Sequence, residues 1–583
     1  MRQLSLPAKR LSWTSTAVFL VRIRTALALG PINVGRVMWH RMRKLSGYYR
    51  WRLPVSMALT GPAFVAAGDN DVNDQLERTV LNEADTLISG KMSLFGLDAV
   101  AVGTPPDWHT NPLSKSRIQN THLHWSEYGD FSSGVEDIKT VWELSRFSWV
   151  LVLARSYRLT GDSSYLEKLN LWVAHWLLNN PYNRGPNWMC GQESSIRLSH
   201  VLLADNMLRR GAAPTAVLQE FVEQHCQRIR ETVSYATGQR NNHGTSEALG
   251  LLVGGAWLKE NAADPVVRRR GETWCRKGRA LLEREVDRLV MRDGTFAQLS
   301  ITYQRLFVDT VAMAEWWRQF LELETFSDTF YRRVRSATDW LFNFVDSESG
   351  DVPNIGSHDG TALFPLSGVN HRDCRPTVQL AGAMFLDKRC FDGDGPWNET
   401  LYWLGVELPK AAAGPRLSRI YADGGFAVLR EPAGKSKLIC RSSTTRFRPG
   451  HADAMHVDLW GNGINILRDG GTYSYSVPDN ESQYFAGTES HNTAQFDGRD
   501  QMPRLGRFLF GAWLESEVLS SDVDSDQPRW CATYTDHWGA RHTRQAIWRN
   551  GDWIIVDDLS GFQKRAVLRW RVCPEFELSL IHI

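Results

Sequence analysis

The spacing of apolar residues changes period once along this chain, and that change limits the folds open to it. From about residue 73 to 405 apolar positions recur every three or four residues, the signature of one face of an α-helix. In VWELSRFSWVLVLARSY, for example, Val141, Leu144, Phe147, Leu151 and Ala154 mark such a face. Turn signals such as LTGD and NNPYNRGPN end the segments, which predicts roughly ten helices joined by short loops and packed as hairpins in a ring or bundle. After Pro415 the period falls to two, in YADGGFAVLR, SKLICRSS, HADAMHVDLWGNGINILRDGGTYSY and RQAIWRNGDWIIVDD. Asn550-Gly551, between two apolar runs, predicts a two-residue hairpin turn. Helices first and strands afterwards predict two separate domains rather than one α/β sheet.

The 583 residues accommodate a large helical domain and a second one. With 43% hydrophobic and 23% charged residues the chain is neither disordered nor a membrane protein by composition. No segment reaches the ~18–20 unbroken apolar residues of a spanning helix. Arg22 and Arg24 interrupt STAVFLVRIRTALALG, and Pro54 and Pro62 interrupt WRLPVSMALTGPAFVAAGD, which also lies late for a signal sequence. Residues 1–68 hold no Asp or Glu, so 1–72 reads as a basic arm, either solvated or in touch with an anionic lipid or polymer. Its charge is local, since the whole chain carries only +2, and with no recognised module this argues against nucleic acid as a partner. No P-loop or dinucleotide fingerprint is present. The eight cysteines show no C-x-x-C spacing, against a zinc ribbon or redox pair. The 24 tryptophans suit large helical cores and also the stacking of sugar faces. The last run, VLRWRVCPEFELSLIHI, ends in mid-strand and would leave an unpaired edge, so a truncated C-terminus is expected.

Two stretches concentrate polar chemistry. In RNNHGTSEALG, Asn242 or Thr245 would cap the helix that follows, yet a cap needs only one short polar side chain and leaves the histidine unexplained. In RFRPGHADAMHVDLW, strand alternation puts His451, Asp453 and Met455 on one face and His456 and Asp458 on the other, so one His/Asp pair faces a given site. Asp469 follows the next apolar strand and His491 precedes a later one. Two imidazoles and a carboxylate from three strands suit a tetrahedral ion with a place left for water, the plain alternative being polar residues at strand ends.

Five segments together carry a resemblance that covers nearly the whole chain: GQESSIRL, NNHGTSEALGL, DGTFAQLSITYQRL, RPGHADAMHVDLWGNGINILRDGGTYSY and SHNTAQFDG. They resemble the heparinase II/III-like family of polysaccharide lyases, including its alginate-lyase-like relatives found near bacterial exopolysaccharide genes. The resemblance implies an incomplete (α/α) toroid, here 73–408, followed by an antiparallel β-sandwich, here 416–583. It also implies cleavage of a uronate-containing polysaccharide by β-elimination, in the periplasm or cell envelope. That reaction needs donors on the uronate carboxylate, a base for the C5 proton and an acid for the departing O4. By resemblance Asn242 and His243 are the carboxylate-binding pair, and Tyr303 is the toroid tyrosine that serves as acid, or as base and acid. The helix start beside them would serve as an anion site as well as a cap. Tyr484 matches a second tyrosine from the sandwich, with Tyr473 and Tyr475 competing for the role. Gln192, Glu193 and Arg197 line or support the cleft. The family's metal ligands carry over as His451, Asp469 and His491, with zinc as a structural ion.

One departure stands out. Many members have a further histidine two positions before the first metal ligand, where this chain has Pro449. Either His243 and Tyr303 suffice, or another residue such as Tyr484 substitutes, or activity is reduced. Beside the lyase stand a non-catalytic carbohydrate-binding or assembly protein for exopolysaccharide export and a metal-dependent hydrolase, whose products would lack a double bond.

Overall fold

A computed structural model describes residues 15–68, 74–129, 135–444, 447–474 and 479–574. Tyr475 and the C-terminal residues 575–583 lie outside the described residues.

The helical domain is built around the helix Asn242–Asn261, which packs against Gly191–Arg209, Ala216–Gln239, Pro265–Leu289 and Ile301–Phe320. Helices pack as hairpins, Ser148–Thr160 with Ser163–Asn179, Gly191–Arg209 with Ala216–Gln239 and Asn242–Asn261 with Pro265–Leu289, and alternate helices also meet, an arrangement consistent with an incomplete (α/α) toroid. Backbones come into direct contact where Pro265–Leu289 crosses the central helix. A Cβ on Gly278 would lie 2.3 Å from the amide nitrogen of Leu252, so only glycine fits there.

The periodicity over 141–154 is correct, but the helix is not continuous. All five marked positions are buried, while Phe147 takes a left-handed φ of 68° that separates Ile138–Ser145 from Ser148–Thr160. Its ring lies 4.9 Å from Trp149 and 5.1 Å from Trp176, centroid to centroid, and this aromatic packing holds a conformation that phenylalanine otherwise avoids. Nor are all connections short. After the hairpin Lys91–Leu94/Leu97–Ala101, the described part of 102–137 is mostly turns.

The basic arm folds into Ser15–Leu29, Pro31–Leu45 and Tyr48–Arg52 and docks on the body of the protein. The second of these helices lies along Ala216–Gln239, where His40 stacks on Tyr235 at 4.0 Å and Arg43 faces Glu231. Arg52 pairs with Glu231 at 3.3 Å. No helix among the described residues is long and apolar enough to cross a membrane.

The second domain holds a five-stranded and a four-stranded antiparallel sheet. Arg419–Tyr421, Phe426–Arg430, Ser436–Arg441, Val457–Gly461 and Ile464–Leu467 pair in chain order, as do Ser516–Asp522, Arg529–Thr535, Arg541–Arg549 and Asp552–Ser560. Asn550 and Gly551 both take positive φ between the last two strands, the expected two-residue turn. The alternation read from the sequence holds in Asp552–Ser560 but not in Phe426–Arg430, which is buried on both faces. Ala427 and Leu429 face the core between the sheets, whereas Phe426 and Val428 join the helical core across the domain boundary. The first sheet is thus the middle layer of the molecule, which fixes the sandwich loops against the toroid.

Candidate functional site

Three helices begin beside one another at the sandwich-facing end of the toroid. Asn241 caps the central helix by accepting from the amide of His243 at 3.2 Å, so neither Asn242 nor Thr245 is the cap; Thr245 instead donates to the Asn242 carbonyl at 3.0 Å. Asn242 is buried and donates its side-chain N–H to Gln192 Oε1 at 3.0 Å, which ties this helix start to that of Gly191–Arg209. The backbone amide of Asn242 donates to Gln298 Oε1 at 2.7 Å, just ahead of the third helix, Ile301–Phe320. There Ser300 accepts from the amide of Tyr303 at 3.2 Å and donates to the carbonyl of Ser357 at 2.6 Å. Tyr303 is 6% exposed. Helix N-termini carry partial positive charge and unsatisfied N–H groups, so three together favour an anion.

Buried ion pairs surround these helix starts. Arg146 grips Glu193 through two hydrogen bonds, of 2.7 and 2.9 Å, and Glu143 through a third of 2.5 Å. Lys139 pairs with Asp359 at 3.4 Å. Burial would raise the Asp359 carboxyl, but the Lys139 and Arg146 charges outweigh it and hold Asp359 well below the usual carboxylate range. His243 is only partly covered, and its Nδ1 lies 3.8 Å from Cys190 Sγ. Burial pulls its pKa down to about 4, with Asp359 opposing and Lys139 and Arg448 assisting, so the imidazole is neutral at neutral pH. Glu247, one turn along, is pushed up to about 8 by burial.

Beside this cluster a cavity of about 740 Å³ runs between the domains. The toroid lines it with Lys139, Thr302, Arg305, His358, Asp359 and Arg372, and the sandwich with Thr472, Tyr473 and Ser474. Asn242, His243 and Tyr303 are not among its lining residues; Lys139 and Asp359 belong to cavity and cluster alike. The sandwich loop is seated closely here. Ser474 donates to Asp137 at 2.7 Å, and a Cβ on Gly471, at φ 62°, would meet the Asn354 side chain at 2.0 Å.

Of the other residues singled out in the sequence, Gln192 and Glu193 hold Asn242 and Arg146 in place. Arg197 does not reach the cleft. It is fully buried, bonded to His225, the Ser145 carbonyl and the Asn187 carbonyl, and its guanidinium lies 4.5 Å from the Trp176 ring. Tyr484 accepts from Arg571 at 2.7 Å and does not line the cavity, whereas Tyr473 does and is 70% exposed. Lys139, Asp359 and His358 went unmarked in the sequence, although GSHDG, a His-Asp pair between glycines, signals a loop with chemistry in it.

The sandwich carries a second cluster. His451, Asp469 and His491 are buried, and one ligand atom from each lies within 4.8 Å of the others. His491 Nδ1 is 2.8 Å from Asp469 Oδ2. The alternation expected over 451–458 fails because 451–456 is not strand; Met455 takes φ 61° and the strand starts only at Val457. His456 therefore also faces Asp469, at 3.5 Å, while Asp453 turns to Arg441. His451 Nδ1 is buried with no hydrogen-bond partner among the described residues, and two imidazoles with a carboxylate form a donor set suited to zinc. The residues fit a metal ion.

Residues 42–355 match the family model described as heparinase II/III N-terminus, and 413–582 match heparinase II/III-like, C-terminal. The chain belongs to the heparinase II/III family. Within that family it is 20% identical over 475 residues to a heparin-sulfate lyase of Bacteroides stercoris, covering 76% of this chain and 66% of the relative. A heparin-sulfate lyase of Bacteroides thetaiotaomicron is 24% identical over 421 residues, covering 67% and 56%. The chain thus spans less than two thirds of these curated relatives' length. Its fold is that of a crystal structure of heparinase III, with a TM-score of 0.59 at 18% identity over 91% of this chain and 76% of that one.

Proposed function

We propose that this heparinase II/III family chain is a polysaccharide lyase that cleaves a uronate-containing acidic polymer by β-elimination. The observation that carries the reading is the junction of three helix N-termini through Asn242, opening beside a cavity walled by both domains. The family and its heparin-sulfate lyase relatives support the reaction class.

In this reading the uronate carboxylate lies against the helix starts and takes hydrogen bonds from Asn242 and from neutral His243, so that negative charge developing at C5 and the carboxylate is stabilised. Gln192 orients the Asn242 amide, and the Arg146–Glu193 pair fixes Gln192's helix turn. Tyr303, as the phenolate, takes the C5 proton and returns it to O4, or, as the phenol, gives its proton to O4 while neutral His243 takes that of C5. A neutral imidazole is competent for either part. Arg448, next to Pro449, is a sandwich cation whose charge reaches His243 and adds to its depression. His451, Asp469 and His491 would hold zinc, which when bound would tie three sandwich loops together through coordinate bonds. A role in bacterial exopolysaccharide metabolism is supported by the resemblance of the motifs to alginate-lyase-like relatives.

Incubation with alginate, heparan-type, hyaluronan-type and glucuronan polymers should raise ultraviolet absorbance through the conjugated double bond of an unsaturated uronate. New reducing ends without that absorbance would assign hydrolysis. Polymer binding without product would assign a binding protein, a reading that Pro449 tolerates.

A further inference from the structure

Among the described residues, the docked basic arm leaves large apolar side chains uncovered on both of its longer helices. On Ser15–Leu29, Val21 and Thr25 are buried against Gly511 of the sandwich. Phe19, Leu20, Ile23 and Leu27 are exposed on the opposite side, Leu27 by 69%. On Pro31–Leu45, the face away from Ala216–Gln239 exposes Met38, Trp39, Met42 and Leu45, the last by 87%. Trp51, Met57 and Leu59, next along the chain, are exposed as well. Soluble surfaces rarely hold large apolar side chains at this density unless something covers them.

The charges around this face select the covering partner. Residues 1–68 carry no acidic side chain. Arg43 and Arg52 are engaged with Glu231 and Arg50 with Glu127, but Arg22, Arg24 and Arg41 are exposed at the edge of the apolar stripes. A second copy of this chain would set like charges against each other with no acids to pair them. An acidic polysaccharide would satisfy the arginines but not the leucines and methionines. An anionic bilayer surface satisfies both, its phosphates taking the guanidinium groups and its acyl region the apolar side chains. The two helices have 15 residues each, short of the ~20 needed to span, so they would lie in the interface plane.

We propose that the face formed by Ser15–Leu29 and Pro31–Leu45 is a docking surface for anionic phospholipid membranes, which would hold the polysaccharide site at a lipid boundary.

The test is flotation of the full chain with phosphatidylglycerol/phosphatidylcholine vesicles and with phosphatidylcholine vesicles alone. The proposal expects partitioning to the anionic vesicles only, weakened by salt. It expects at least a tenfold loss in both Leu27→Glu/Leu45→Glu and Arg22→Glu/Arg24→Glu/Arg41→Glu. Leu27→Phe/Leu45→Phe should float like the wild type, which separates loss of docking from loss of folding. Failure to float with anionic vesicles overturns the proposal, as does flotation that neither glutamate variant weakens. A dimer in sedimentation velocity that Leu27→Glu/Leu45→Glu dissociates would assign the face to a second copy. Alginate binding lost in the arginine variant, without vesicle binding, would assign it to polymer.

Discussion

The helix-start cluster of the toroid and the His/Asp cluster of the sandwich use the same residue types to opposite ends. Around Asn242 the side-chain amide is fixed by Gln192, His243 is only partly covered, and a cavity lies alongside. Around Asp469 the three candidate ligands are buried and converge on one another. Burial would raise the Asp469 carboxyl, yet the facing His491 and His456 hold it well below the ordinary range. The difference teaches that openness, rather than the presence of histidine, separates a site that can work on a polymer from one that can hold loops together. Among the described residues, the partly covered imidazole beside the interdomain cavity is on the toroid side, His243.

The largest expected effect tests that division directly. His243→Ala should lower kcat/KM by ~10²–10⁴, the usual worth of a positioned acid–base or donor group, while melting shifts little. Because His243 is neutral down to about pH 4, wild-type kcat/KM should hold on its account until pH falls toward that value. An equal loss in His451→Ala at unchanged melting temperature would break the comparison.

Next in size is the sandwich itself. His451→Ala, or removal of metal by a chelator, should cost about 3 kcal/mol or more of stability, with the turnover of the molecules that remain folded changed less than tenfold. Differential scanning calorimetry beside initial rates reads both quantities.

A smaller effect sharpens the toroid side. The folded pKa of Glu247 is raised from 4.5 to about 8 by burial, so between those values the native state binds more protons than the unfolded one and stability falls as pH rises. Glu247→Gln should flatten that slope and raise stability above pH 8 by roughly 1 kcal/mol or more, read from denaturant unfolding across the window. A slope unchanged by the substitution would show that Glu247 does not titrate as its burial implies.

Much of this was legible in the sequence, for physical reasons. Period 3.6 against period 2 separated the domains because each must bury one face, and Asn550-Gly551 named its turn because both residues tolerate positive φ. What escaped depended on tertiary contact. Phe147 breaks a helix whose periodicity runs straight through it, since an aromatic cluster sustains its φ. Met455 does the same to a strand, and so turns His456 toward Asp469. Asn241 could not be told from Asn242 as the cap, because both satisfy the same local rule. Lys139 and Asp359 are 220 positions apart, and only the fold brings them into one pair. Arg197 is expected to line or support the cleft because it shares a motif with Gln192 and Glu193; it lies further along the same helix, inside the core, and can only support.

The most direct test of the account is the rate of ultraviolet absorbance increase with an acidic polymer, compared between the wild type and Tyr303→Phe under conditions where both bind that polymer. The expected result is a steady rise for the wild type and a loss of at least ~10²-fold for the variant, with polymer affinity retained. An undiminished rise in Tyr303→Phe, or cleavage that produces no unsaturated uronate at all, would contradict it.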